Sequence, residues 1–566
     1  MPLRSSVTGF GAFLVFAAMV MVCPGALEAR DWPMWGGTDS RNMASDEKGL
    51  PATFDPGKKA AGGQYDTSSA RNLKWCANMG TITCAGPVVS GGKVFVGTNN
   101  ACPRDPKYQG EYGILLCLEE GTGKLLWQLS VPAVPDDLGD MFYFGLGFCS
   151  TPAAEGKRLY AVTNRCEVVC LNTGGLAAGN EGPFRDEGTY FAPPASQHLG
   201  PAVVQDGDVY RVRSDKAIVD VKRARTAVPL GPTDADVLWH YDMLNRLSVW
   251  PHDAAASSIL VHGDLLFVCT GNGTDSTHRN IPSPRAPTLA ALNKKTGSLA
   301  AVDDARIGPR VLEGSWSSPT LAKAGQRTLV ILGGPDGVCY AFDASPVKPA
   351  RVGEPGRLQK VWWYDCNPPA ARFRDRAAVN FPSRLGPSEI VATPVFYKGR
   401  VYVAVGQDPR HGAAPGLLVC IDASGTGDVT DKARIWQYDK ISRTLSTVSI
   451  ADGLLYVADV AGRIHCLDAD SGRPLWVFDT ASLVSSSTLV ADGKVYLGTE
   501  KGELWVLAAG RETRLLHKVS LGSPIHTTPV AANRVLYVAT NRHLFAFCQQ
   551  DAPGEKTPGA SGGPAG

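Results

Sequence analysis

The chain has 566 residues, with 56 Lys plus Arg against 54 Asp plus Glu, a formal net charge of +2. No clustered basic surplus marks it for nucleic acid, and at 44% hydrophobic and 19% charged it is globular rather than disordered. Sixty-two Gly and 40 Pro interrupt the chain too often for a long helical bundle and point to many short strands joined by turns.

Arg4 precedes an apolar run over residues 10–22, and Ala29 offers a small residue for cleavage. The run is too short to cross a bilayer and suits the core of a secretory signal. Residues 1–29 are therefore predicted to be a signal peptide. Cys23 follows Val22, where a lipobox needs a small residue, so lipidation is not expected. No later stretch is apolar enough to span a membrane. The mature protein is expected to be an exported monomer of the periplasm or cell envelope.

After an N-terminal segment at 30–82, a unit of about 40 residues repeats. Its cleanest copy, residues 446–478, reads STVSIADGLLYVADVAGRIHCLDADSGRPLWVF. Short period-2 pieces separated by turn residues predict four strands, A to D. Eight copies follow, their A strands passing through Gly86, Thr151, Ser257, Ser318, Thr393, Thr447, Ser487 and Thr528. The D strands carry Trp127, Trp239, Trp362, Trp436 and Trp476, with Ala301 and His517 in two copies. The last copy stops near Phe547 without a D strand, while a spare strand around Trp75 precedes the first. That strand is expected to complete the last blade and close a ring with no open edge. The predicted fold is all-β: an eight-bladed β-propeller of four-stranded antiparallel blades over 83–550. Blade two carries an insertion at 174–236. The Pro/Gly-rich tail 551–566 is predicted to be disordered.

The turns DADSGRPLW and EEGTGKLLW resemble the tryptophan-docking repeat of PQQ-like (quinoprotein-dehydrogenase-like) propellers, and the opening DWPMWGG at 31–37 is similar to the start of many secreted members. The resemblance spans roughly residues 31–548 and implies the fold. It implies little chemistry, because the family includes dehydrogenases as well as outer-membrane assembly factors of the BamB type. The family's dehydrogenases set a vicinal disulfide against the quinone and hold calcium with a carboxylate and an amide beside an Asp base. This sequence has no adjacent cysteines, no motif that maps onto that calcium cluster and no CxxCH haem motif. No cofactor is expected, PQQ included.

Two residues before the end of strand C, the eight copies show Cys117, Cys170, Ala291, Ala341, Cys420, Cys466, Val506 and Ala546. Cysteine alternates there with other small apolar residues, so these four are expected to be free core thiols. Cys76 with Cys84, and Cys149 with Cys166, are candidate disulfides of an exported protein.

In a four-stranded blade the B–C loops and D–A connections share one face. The long ones fall at 97–113, 271–287 and 406–416, and at 131–147, 241–254 and 364–389. Long loops on a rigid scaffold are where binding concentrates. The candidate face holds Asn99, Arg104, Asp105, His252, Asp253, Asn272, Asp275, Gln407, Asp408, Arg410 and His411, with Trp316 and His526 expected at the channel mouth. His252, His278 and His411 could in principle meet at a metal, but blades two, three and five are not all neighbours and no ligand spacing supports it, so no metal site is expected. The reading is a non-catalytic binding or scaffold propeller with a protein or peptide partner. Its alternatives are a PQQ-dependent oxidoreductase and a receptor for carbohydrate or another small ligand.

Overall fold

The computed structural model describes residues 30–60, 65–133, 145–193, 203–206, 209–213, 218–222, 227–349, 351, 353–369, 372, 387–407 and 415–550. The expected signal peptide and C-terminal tail lie outside these residues. Eight sheets repeat one plan, in which successive strands pair antiparallel from the innermost outward. Blade six shows it plainly: Ser449–Ala451, Leu454–Ala458, Arg463–Asp468 and Pro474–Asp479. In the eighth sheet Val530–Ala532, Val535–Ala539 and His543–Cys548 are joined by Leu73–Asn78, with Trp75 opposite Ala546.

The small-residue column has a physical cause. Cys117, Cys170, Ala341, Cys420, Cys466 and Ala546 sit directly across the ladder from Trp127, Trp239, Trp362, Trp436, Trp476 and Trp75. A bulky indole leaves room only for a small partner on the facing strand. The register shifts immediately beyond this pair in each blade. Such a bulge bends the outer strand and aims the indole at the neighbouring blade. There Trp75, Trp127, Trp362, Trp436 and Trp476 donate Nε1–H to Glu120, Thr173, Ala423, Ala469 and Gly510 carbonyls at 2.9–3.1 Å.

The cysteines at these positions are buried and free. Neither candidate disulfide forms: Cys76, Cys84, Cys149 and Cys166 are all unbridged. Cys76 sits on an outermost strand, whereas Cys84 lies against Cys149, whose thiol is held well above its usual range first by its hydrogen bond with Cys84 and then by burial. Cys166 turns the other way and donates to the Thr270 carbonyl of blade three at 3.3 Å.

The N-terminal segment crosses the inner strands of the whole ring. Trp32 pairs with Val89, the Pro33 carbonyl accepts from Ala154, and the Asp39 and Ser40 carbonyls accept from Leu321 and Phe396. Asn42 bonds both backbone groups of Ile450, Ala44–Ser45 pairs with Val490 and Ala491, and Ser45 Oγ donates to Ala531. Arg41 is fully buried and donates to the carbonyls of Trp35, Ile259 and Pro319 at 2.8–2.9 Å. Within the blade-two insertion, Val203–Asp206, Val209–Arg213 and Ile218–Lys222 form a separate antiparallel sheet. Among the described residues no helix is long and apolar enough to cross a membrane.

Candidate functional site on the loop-rich face

Three chain segments meet where blade three faces blade four. The connection entering blade three supplies His252 and Asp253. The B–C loop of the same blade supplies Asn272, Asp275 and His278. The approach to blade four supplies Glu313 and Trp316. Backbone hydrogen bonds lock the segments: Gly273 N–H donates to Trp250 O at 2.7 Å, and Thr274 N–H to Glu313 O at 2.8 Å. Gly273 is required here, because a Cβ would strike the Glu313 carbonyl and lie 2.5 Å from His252 Cβ.

Asn272 is a brace. Its Oδ1 accepts from Trp250 N–H at 3.0 Å and its Nδ2 donates to Ser283 O at 3.1 Å. Asp275 ties the loop tip, accepting from Thr277 Oγ1 at 2.6 Å and Asn280 Nδ2 at 2.8 Å. Burial works to raise its pKa, but these hydrogen bonds hold it below the usual carboxylate range. The tight tip places His278 at φ +56°.

The ionisable groups then converge. His252 Nδ1 lies 2.9 Å from Thr274 O, and because a carbonyl only accepts, Nδ1 carries the proton. Its Nε2 lies 3.6 Å from Glu313 Oε1 and 4.0 Å from Asp253 Oδ1. His278 Nδ1 is 3.2 Å from the same Glu313 oxygen. The two imidazoles meet edge to face at 4.8 Å, and Trp316 covers His252, its indole donating to the His252 carbonyl at 3.1 Å. Glu313 is fully buried, His252 nearly so, and His278 is 30% exposed. Burial works to lower the His252 pKa, yet its contacts with Glu313 and Asp253 raise it overall. One ligand atom from each of His252, His278 and Glu313 lies within 4.8 Å of the others.

Of the sequence-derived candidates, His252, Asp253, Asn272, Asp275 and Trp316 thus share one site. Asn99 is buried and braces its own neighbourhood, bonding Thr81 and Gly145. Arg104 is part-buried, and burial lowers its pKa. Asp105 pairs with Lys107, which in turn holds buried Asp234 at 2.6 Å. Gln407 is buried and donates to Pro387 O at 3.2 Å. His526 is part-buried, and burial lowers its pKa against the opposing pull of Glu500. Asp408, Arg410 and His411 lie outside the described residues. Sequence reasoning missed Glu313, which stands on the connection 304–319 between blades three and four, outside the loops singled out as long, and its only signal was an acidic residue three before Trp316. No metal site was expected because His252, His278 and His411 were assigned to blades that are not all neighbours and showed no ligand spacing; the fold brings His252 and His278 together with Glu313, while His411 lies outside the described residues.

The blades, the docked tryptophans and the loop-rich face define a PQQ-like repeat propeller. Residues 111–345 and 427–541 match the family described as outer membrane protein assembly factor BamB, and the chain belongs to it. No curated protein matches. Among solved structures, a europium-containing methanol dehydrogenase aligns at TM-score 0.51 and 12% identity, covering 91% of this chain and 90% of that one. BamB from Moraxella catarrhalis aligns at TM-score 0.48 and 11% identity, covering 83% of this chain and 98% of that one. The quinohemoprotein alcohol dehydrogenase from Comamonas testosteroni aligns at 0.47 and 13%, covering 94% and 83%. At 12% identity the likeness to the methanol dehydrogenase is one of fold.

Proposed function

We propose that this protein is a non-catalytic scaffold of the cell envelope that holds an extended segment of a partner protein. One observation carries the reading: the outer strands of blades five, six and seven are exposed edges. Arg434–Tyr438, Pro474–Asp479 and Leu515–Ser520 each pair on one side only among the described residues, and present Ile435, Val477 and Leu515 at 40–47% exposure. Such an edge is a template for strand addition. The chain already uses this mode on itself. Gly356–Leu358 and Gly427–Asp428 add in parallel to the outer strands of blades three and four, and Asp234 bridges to Gln128 in blade one. Membership of the BamB family supports an envelope role.

The test replaces Val477 with a photocrosslinking residue in the native envelope, and compares a Val477→Lys, Leu515→Lys double variant. A reproducible protein adduct is expected at 477, and at least tenfold weaker partner capture by the double variant at unchanged melting temperature. No adduct, together with dye-linked alcohol oxidation after addition of PQQ and calcium, would replace the scaffold with a quinoprotein oxidoreductase. A second reading, a small-ligand receptor, is favoured by the convergence of His252, His278, Asp253 and Glu313 on the loop-rich face. It predicts a ligand whose binding is lost on Asp253→Asn and indifferent to Val477→Lys.

A further inference from the structure

The loop-rich face carries chemistry that strand addition at the rim does not use. We infer that His252, His278 and Glu313 form a binding site for one divalent transition ion of the zinc class, a site independent of the scaffold reading.

The donor set is two imidazole nitrogens and one carboxylate. It suits zinc and its neighbours, whereas calcium and magnesium call for oxygen ligands throughout. The spacing fits as well. Bonds of about 2.0–2.1 Å at tetrahedral angles put ligand atoms about 3.3 Å apart. The two nitrogen-to-carboxylate separations here are 3.6 and 3.2 Å. The third edge is no longer than 4.8 Å, and rotation of the part-exposed His278 ring closes it.

The surroundings are those of a held ligand. The Thr274 carbonyl takes the Nδ1 proton of His252, which leaves the Nε2 lone pair facing Glu313. A second partner on the far nitrogen is how ligating histidines are oriented. Trp316 fixes the His252 backbone from one side, and Thr274 fixes that of Glu313 from the other. The Glu313 carboxylate is fully buried beside both imidazoles, and a bound dication would add favourable charge to a buried carboxylate without protonating either ring. Of His252, Asp253, His278 and Glu313, it is His278 and Asp253 that reach solvent, at 30% and 24% exposure, so the remaining coordination position opens on their side, toward water or an anionic oxygen donor.

The competing account is a proton-only cluster, in which protonated histidines neutralise Glu313. The two separate in one experiment. Chelator-stripped full-length protein, free of any affinity tag, is titrated with zinc by calorimetry, with calcium and magnesium in parallel. One zinc per chain is expected, with neither alkaline-earth ion competing. X-ray absorption of the loaded protein is expected to show only nitrogen and oxygen neighbours at about 2.0–2.1 Å, with imidazole scattering. His278→Ala, at a part-exposed loop position, is expected to weaken zinc at least tenfold while circular dichroism and melting stay as in the parent. Glu313→Gln is expected to do the same, and His278→Ala decides the matter if the glutamine variant misfolds. Absence of stoichiometric zinc in the parent overturns the inference in favour of the proton-only cluster. So does zinc binding that His278→Ala leaves unchanged.

Discussion

Asp459 shows how much one side chain can organise. It is fully buried at the turn before strand C of blade six. Its carboxylate accepts from Arg463 Nε at 3.0 Å, from the backbone N–H groups of Ser442 and Arg463 at 3.1 Å each, and lies 3.2 Å from His465 Nε2. Burial alone would raise its pKa, but the His465 and Arg463 hydrogen bonds bring it down to about 2 from 3.8. A depressed acid stabilises the fold above its unfolded pKa and loses that contribution as pH falls through the folded value. The window is therefore pH 4 down to pH 2, and the contribution is about 2 kcal/mol. Asp459→Asn is expected to cost about 2–4 kcal/mol at pH 7, since it leaves Arg463 without its charge partner. Urea unfolding at pH 7 and at pH 2.5 checks this: the gap between parent and variant should narrow at the lower pH. None of this was legible in the sequence, where Asp459 is one residue of the loop between strands B and C and its partners Ser442 and His465 are fixed only by folding. The candidate site divides in the same way. His252, Asp253, Asn272, Asp275 and Trp316 were visible because long polar loops advertise themselves. Glu313 was hidden because its role comes from a neighbour that only tertiary folding supplies.

At the scale of the element, the blades were legible almost strand for strand, and the reason is local. Period-2 alternation, a Gly turn and a Trp at one register recur because each blade solves the same packing problem with the same parts. The structure adds why the residue opposite that Trp is Cys or Ala, and why a bulge follows it. The turns test the point. Gly472 and Gly493 both have positive φ, +70° and +67°. A Cβ on Gly472 would lie 2.5 Å from the Trp436 ring, whereas a Cβ on Gly493 meets nothing within 4 Å. Both alanine variants bear the cost of left-handed backbone, about 1 kcal/mol. Only Gly472→Ala also displaces a docked indole, for a total of about 3 kcal/mol or more. Chemical denaturation of the two variants should separate them by at least about 2 kcal/mol. Equal losses would show that the Trp–Gly contact between blades contributes little. The candidate disulfides failed for an element-level reason too: pairing by position in the chain ignores which face of which strand a cysteine occupies.

At the scale of the molecule, a ring of repeats has a weakness that the blades cannot cure. Each blade touches its neighbours alone, so stability is close to a sum of nearest-neighbour terms and unfolding can begin at any interface. The N-terminal segment changes that connectivity. In the 14 residues from Trp32 to Ser45 it bonds the inner strands of blades that are far apart in the ring, from Val89 and Ala154 through Leu321, Phe396 and Ile450 to Val490 and Ala531. Its anchor is Arg41, whose three bonds reach the approaches to blades three and four and the segment's own Trp35. Burial lowers the Arg41 pKa to about 10, with Asp39 pulling the other way, so the guanidinium remains charged at neutral pH. Arg41→Met removes the charge and leaves three carbonyls without their donor. An unsatisfied buried acceptor costs about 1–3 kcal/mol, so the loss is expected to exceed about 3 kcal/mol. Because the segment couples blades that do not touch, that loss should also change the form of unfolding. Calorimetry of the parent should show one cooperative transition, and Arg41→Met a broader or divided one, with the van't Hoff enthalpy falling below the calorimetric value. A variant that melts earlier but as sharply would mean that the ring is already cooperative through its blade contacts, and that the segment adds stability without coupling.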